Sequence, residues 1–175
     1  MRNELKSSLK VFTGYLVSLI LFVLFIPSIL SFGKDNLGPW IFGYSLVIFI
    51  LMCNIIFADM KKLGDKERRP EYNLKPYPLK GLVVGFMGFL PFILLQIAYP
   101  FIKFNLGPID IERLKHVALN TLMGPLYWFI KLGNESAWAY AAAASIVPLI
   151  AMAGYMAGIW RFEFSLFPKR QPKSK

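Results

Sequence analysis

Asp110, Glu112 and His116 are the residues of this chain whose types and spacing come nearest to chemistry. On a helix Glu112 and His116, four apart, share a face, so a carboxylate could orient an imidazole or both could reach one metal ion. Asp110 lies two residues from Glu112 and would point elsewhere. One carboxylate and one imidazole are too few ligands for a stable metal site. The single cysteine, Cys53, sits in an apolar run, so neither an intrachain disulfide nor a cysteine metal cluster is available. No HExxH, GxSxG, P-loop or GxGxxG motif occurs. The expectation is a chain without cofactor or metal that is not an enzyme. The rival reading is a lipid-modifying enzyme using Asp110, Glu112 and His116.

The elements that would carry these residues are set by composition. Of 175 residues 56% are hydrophobic and 17% charged, and mean hydropathy is +0.50. The apolar residues fall in runs too long for a soluble core of this size. Val11 to Phe32 holds 22 residues without a charge, enough at about 1.5 Å each to cross a hydrocarbon core of about 30 Å. It exceeds the apolar core of a signal peptide and is expected to stay as an anchor. Trp40 to Ala58, Gly81 to Ile102 and Ser136 to Trp160 are further spans, with Trp40 placed as an interfacial anchor. The spacing predicts an all-α membrane protein: a bundle of four transmembrane helices in one domain, spans about 11–32, 40–58, 81–102 and 136–160.

Between the third and fourth spans, residues 103–135 read as an outer insertion. Ile111, Leu114, Ala118 and Leu122 recur at helical spacing among charged residues, predicting a short amphipathic helix at the membrane surface. Gly124 and Pro125 end it, and the apolar stretch 117–130 is too short to span, so it is read as interfacial or re-entrant. The tetrapeptide Asn36 to Pro39 recurs as Asn105 to Pro108, a weak hint of two parallel hairpins.

Charge gives the orientation. The net charge of +10 could suggest nucleic acid, but the basic residues lie beside apolar spans, and no nucleic-acid partner is expected. The N-terminal tail holds three Lys and Arg, the central loop 59–80 seven and the tail 161–175 five, fifteen in all against five in the other loops. The positive-inside rule then predicts both termini in the cytoplasm. Lys61, Lys62, Lys66, Arg68 and Arg69 become candidates for contact with anionic lipids of the inner leaflet.

The spans contain no Asp, Glu, Lys, Arg or His, which disfavours a proton- or ion-coupled carrier. They do contain small residues at helix-packing spacing: Gly81, Gly85 and Gly88 in the third span, and Ala141, Gly154 and Gly158 in the fourth. The leading expectation is therefore a non-enzymatic accessory or scaffold subunit, or a homo-oligomer, acting through helix packing with the bilayer and a membrane-protein partner. The alternative is a transport component for a neutral or lipid-like solute, using a crevice at Pro91, Gln96 and Pro148.

Overall fold

In a bilayer, backbone groups have no water to bond, so apolar runs of this length close their hydrogen bonds internally as helices. The computed structural model describes residues 2–32, 37–69, 77, 79–98 and 111–160. These form α1 (Arg2–Phe32), α2 (Leu37–Arg68), α3 (Lys80–Ala98), α4 (Ile111–Leu122), α5 (Tyr127–Leu132) and α6 (Ala137–Ile159), with a 3-10 turn at Gly124–Leu126. Helices α1, α2, α3 and α6 are long and apolar enough to cross a membrane, and no strand occurs among the described residues. The protein is a four-helix membrane bundle.

The helices form a ring in the order α1, α2, α6, α3, so that α1 lies diagonal to α6 and α2 to α3. Glycines set the close approaches. A side chain at Gly81 or Gly85 of α3 would meet Ala151 and Pro148 of α6. One at Gly154 would lie 2.8 Å from the Phe57 carbonyl of α2, and Gly64 of α2 faces Tyr155 and Gly158 of α6 through backbone alone. Gly88 faces Ser8 and Val11 of α1. These pairings make α1 antiparallel to α2, and α3 antiparallel to α6, with the two hairpins parallel and side by side. A two-fold axis along the bundle would place α3, rather than α6, diagonal to α1, so the hairpins are not related by that symmetry.

Helix α2 runs ten residues past the apolar stretch that ends at Ala58, taking Asp59–Arg68 out of the connecting loop. The reason is a buried stripe, Ser45, Ile48, Met52, Ile56, Met60, Gly64 and Glu67, in steps of three and four. Its packing partner, α6, continues to Ile159. The exposed tryptophans mark both ends: Trp40 and Trp138 at one, Trp160 at the other.

Part of the insertion between α3 and α6 is folded into the bundle. Met123, Gly124, Pro125, Leu126 and Ile130 are buried, and the segment packs against α1, α2 and α6. The Tyr15 hydroxyl donates to the Leu122 carbonyl at 2.9 Å, and Gly124 presses against the Phe22 ring. Ser45 Oγ donates to the Gly124 carbonyl at 2.7 Å and accepts from Trp128 N–H at 3.0 Å. One hydroxyl thus pairs the Trp128 amide where the chain turns and adds a second donor to the Gly124 carbonyl, which also accepts from the Tyr127 N–H. Tyr140 of α6 donates to the Asn120 side-chain carbonyl, tying α4 to the bundle. Before α6 the chain turns through Asn134 (φ 53°) and Glu135 (φ 54°), and Ser136 caps the helix by accepting from Ala139 N–H at 3.4 Å.

Ser45→Ala should leave the Trp128 amide unpaired and the Gly124 carbonyl with the Tyr127 N–H alone. The expected cost is about 2 kcal/mol, with amide exchange at Trp128 accelerated and the four spans unchanged. Exchange as slow as in the unaltered protein would mean that the turn is held by packing alone.

Candidate functional site

The buried carboxylate of the bundle lies at one end, where α1 and α3 begin and α2 and α6 finish. Glu67, carried there by the extension of α2, is 3% exposed. Its Oε1 accepts from Lys80 Nζ at 2.8 Å and its Oε2 from the Tyr155 hydroxyl at 2.6 Å. Glu4 of α1 stands 3.9 Å from the same lysine. Four helices therefore meet through one carboxylate and one ammonium. Both carboxylate oxygens are engaged, so the group is suited to holding helices together rather than to abstracting a proton from a substrate.

Beside this cluster, α1 and α2 enclose a cleft of about 280 Å³ lined by Lys6, Ser7, Lys10, Lys62, Leu63, Lys66 and Glu67. Lys6 and Lys10 are one helical turn apart, as are Lys62 and Lys66, so two lysine pairs face the same cleft. Of the five basic residues expected to contact anionic lipids, the structure brings Lys62 and Lys66 here, while Lys61, Arg68 and Arg69 do not line it.

The second candidate is a groove of about 490 Å³ between α3 and α6, open to the bilayer and lined in part by Leu82, Phe86, Ala141, Ser145 and Leu149. It includes Gln96 and Pro148. Gln96 Oε1 is buried and accepts no hydrogen bond among the described residues. Pro91 lines a different hollow, between α1 and α3. The two prolines expected to share a crevice therefore face separate spaces on α3 and α6. The helix-packing residues divide likewise: Gly81, Gly85, Gly88, Gly154 and Gly158 contact neighbours within the chain, whereas Ala141 is exposed in the α3/α6 groove.

Of Asp110, Glu112 and His116, only His116 has its side chain among the described residues. Asp110 lies outside the described residues, the Glu112 backbone is in the first turn of α4, and His116 is exposed on that helix. Among the described residues no three His, Cys, Asp or Glu side chains gather in a way that could hold a metal ion.

Sequence reasoning missed Glu67, Lys80, Tyr155, Lys6 and Lys10. The signal for Glu67 was present in the four-residue stripe from Met52 to Gly64, which carries helical burial past Ala58. Lys6 and Lys10 were visible only as tail charge. Compared with known proteins, the chain matches no family model, no curated protein and no solved structure.

Proposed function

We propose that this chain is a non-enzymatic accessory or scaffold subunit that receives a transmembrane helix of a partner protein in the groove between α3 and α6. One observation carries the reading: the groove is lined by small and apolar side chains and presents at Gln96 a buried amide oxygen that is unpaired among the described residues. A partner helix bearing a hydroxyl or amide donor would satisfy that oxygen while packing against Ala141 and Ser145. Helix association in lipid depends on such close packing and interhelical hydrogen bonds, because lipid already solvates apolar side chains. The glycine faces are occupied within the chain, which favours this groove over a glycine-faced homodimer. The positive-inside charge balance supports a cytoplasmic position for both termini and the lysine cleft.

The transport reading is less well supported. A pathway at the prolines calls for one crevice, and Pro91 and Pro148 line two. The centre of the ring is filled by Tyr15, Phe89, Met123, Leu126 and Val147, all fully buried.

The test places a photoreactive residue at Ser145 and, separately, at Ile50 on the bilayer face of α2, in cells expressing the chain at its native level. Crosslinking from Ser145 to one membrane protein in stoichiometric yield, with none from Ile50, is the expected result. Adducts from Ser145 that contain lipid alone would overturn the scaffold reading.

A further inference from the structure

Lys6, Lys10, Lys62 and Lys66 form a cleft whose charge the adjacent carboxylate does not neutralise. Glu67 lines it, but both its oxygens are engaged by Lys80 and Tyr155. No carboxylate of the described residues makes an ion pair with Lys6, Lys10 or Lys62. Lys6, Lys10 and Lys62 thus stand around one small space without a fixed counter-charge among the described residues, an arrangement that an entering anion would relieve.

A second hollow, of about 240 Å³, shares Lys6 and Lys10 with the first and continues along α1 and α2 toward the middle of the bundle. Its further walls are Leu9, Thr13, Gly14, Val17 and Ile55, with Asp59 the one acidic group. Thr13 presents little polarity there, because its hydroxyl donates to the Leu9 carbonyl of its own helix. Gly14 lets α1 approach α2 closely at the floor of the hollow, since a side chain there would sit 3.2 Å from Ile55. A cationic space thus adjoins an apolar one along a single helix pair, with Lys6 and Lys10 common to both, at the boundary where charged helix ends meet the apolar spans. A free phosphate would use only the first part; a molecule with an anionic head and a hydrocarbon tail uses both.

We propose that this is a binding site for one anionic phospholipid, its phosphate head held by Lys6, Lys10, Lys62 and Lys66 and an acyl chain lying beside Val17 and Ile55. The site stands apart from the α3/α6 groove and does not depend on the scaffold reading. It also differs from a diffuse attraction of the whole basic end to the membrane: Lys61, Arg68 and Arg69 carry comparable charge there without lining the cleft.

The experiment uses the full chain in nanodiscs made from equal parts phosphatidylcholine and phosphatidylglycerol, released for native mass spectrometry. Retention of one phosphatidylglycerol per chain, at least about tenfold over phosphatidylcholine, is expected; near-equal retention would overturn the proposal, and this comparison needs no variant. Lys6→Gln/Lys10→Gln/Lys62→Gln should lower retention about 100-fold, from about fivefold for each lysine removed near an anionic head. The charge-matched Lys61→Gln/Arg68→Gln/Arg69→Gln should stay within about twofold of the unaltered chain. Equal losses in the two triple variants would mean diffuse charge and refute a site. Inorganic phosphate in excess should not displace the lipid; if it does, the cleft is a free-phosphate site and the lipid assignment fails.

Discussion

Glu67→Ala should destabilise the bundle by about 3 kcal/mol. The carboxylate is almost wholly buried, and its loss leaves two groups without their partner: the Lys80 ammonium and the Tyr155 hydroxyl. Removing one member of a buried ion pair typically costs about 3–5 kcal/mol, because the remaining charge is stranded away from water. The Lys80 side chain retains 17% exposure and has Glu4 at 3.9 Å, which places the effect at the lower end of that range. Glu67→Gln keeps an acceptor for Lys80 and should cost about half as much. Glu67→Leu combined with Lys80→Met removes both charges and should recover much of the loss, as replacement of buried pairs by apolar residues often does. Equilibrium unfolding in mixed micelles measures all three. If the double variant were no more stable than the single, the ion pair would not be what strands the charge, and this account of the polar end would fail.

Gly158→Leu should be at least as damaging, with an expected cost of about 3 kcal/mol or more. A side chain at Gly158 would run into the Lys61 carbonyl and the Asp65 amide of α2, and one at Gly64 into the Tyr155 carbonyl of α6. Both obstacles are helical backbone, which cannot rotate away as a side chain can, so the two helices would have to separate along their length. The contrast is Gly43→Ala: nothing lies within 4 Å of that position, and alanine should leave stability equal or raise it by up to about 1 kcal/mol through helix propensity. The fraction of each variant recovered as a monodisperse species, followed by unfolding, separates the two. Comparable behaviour of Gly158→Leu and Gly43→Ala would mean that the α2/α6 contact is not set by backbone approach.

The four spans were legible because lipid imposes a length: the runs near residues 11, 40, 81 and 136 can hardly be anything but helices. The small residues that pack them were legible too, since Gly81, Gly85, Gly154 and Gly158 stand at helical spacing. Their partners were not. Spacing gives the face a residue occupies on its own helix, not the rotation of that helix against its neighbours, and for this reason Pro91 and Pro148 fall in separate hollows. The end of α2 was hidden for a different reason. Asp59 to Arg68 is polar enough to read as a loop, while the burial that keeps it helical comes from α6, almost a hundred residues away. Within the insertion, the shortness of 117–130 ruled out a full span, but Ser45 of another helix determines how the turn is satisfied inside the bundle.

The position of α6 has a consequence for how the chain is made. Helices α1, α2 and α3 leave the ribosome first, with a slot between α2 and α3 floored by Phe57, Gly64, Gly81 and Gly85. Only α6, the last span to be synthesised, fills it, bringing Tyr155 to complete the bonding of Glu67. A nascent chain halted before residue 137 therefore exposes bare glycine backbone and a half-coordinated carboxylate to the lipid. That surface is absent from the four-helix bundle, so insertion of α6 is the step that covers the glycines of α2 and α3 and closes the bonding of Glu67.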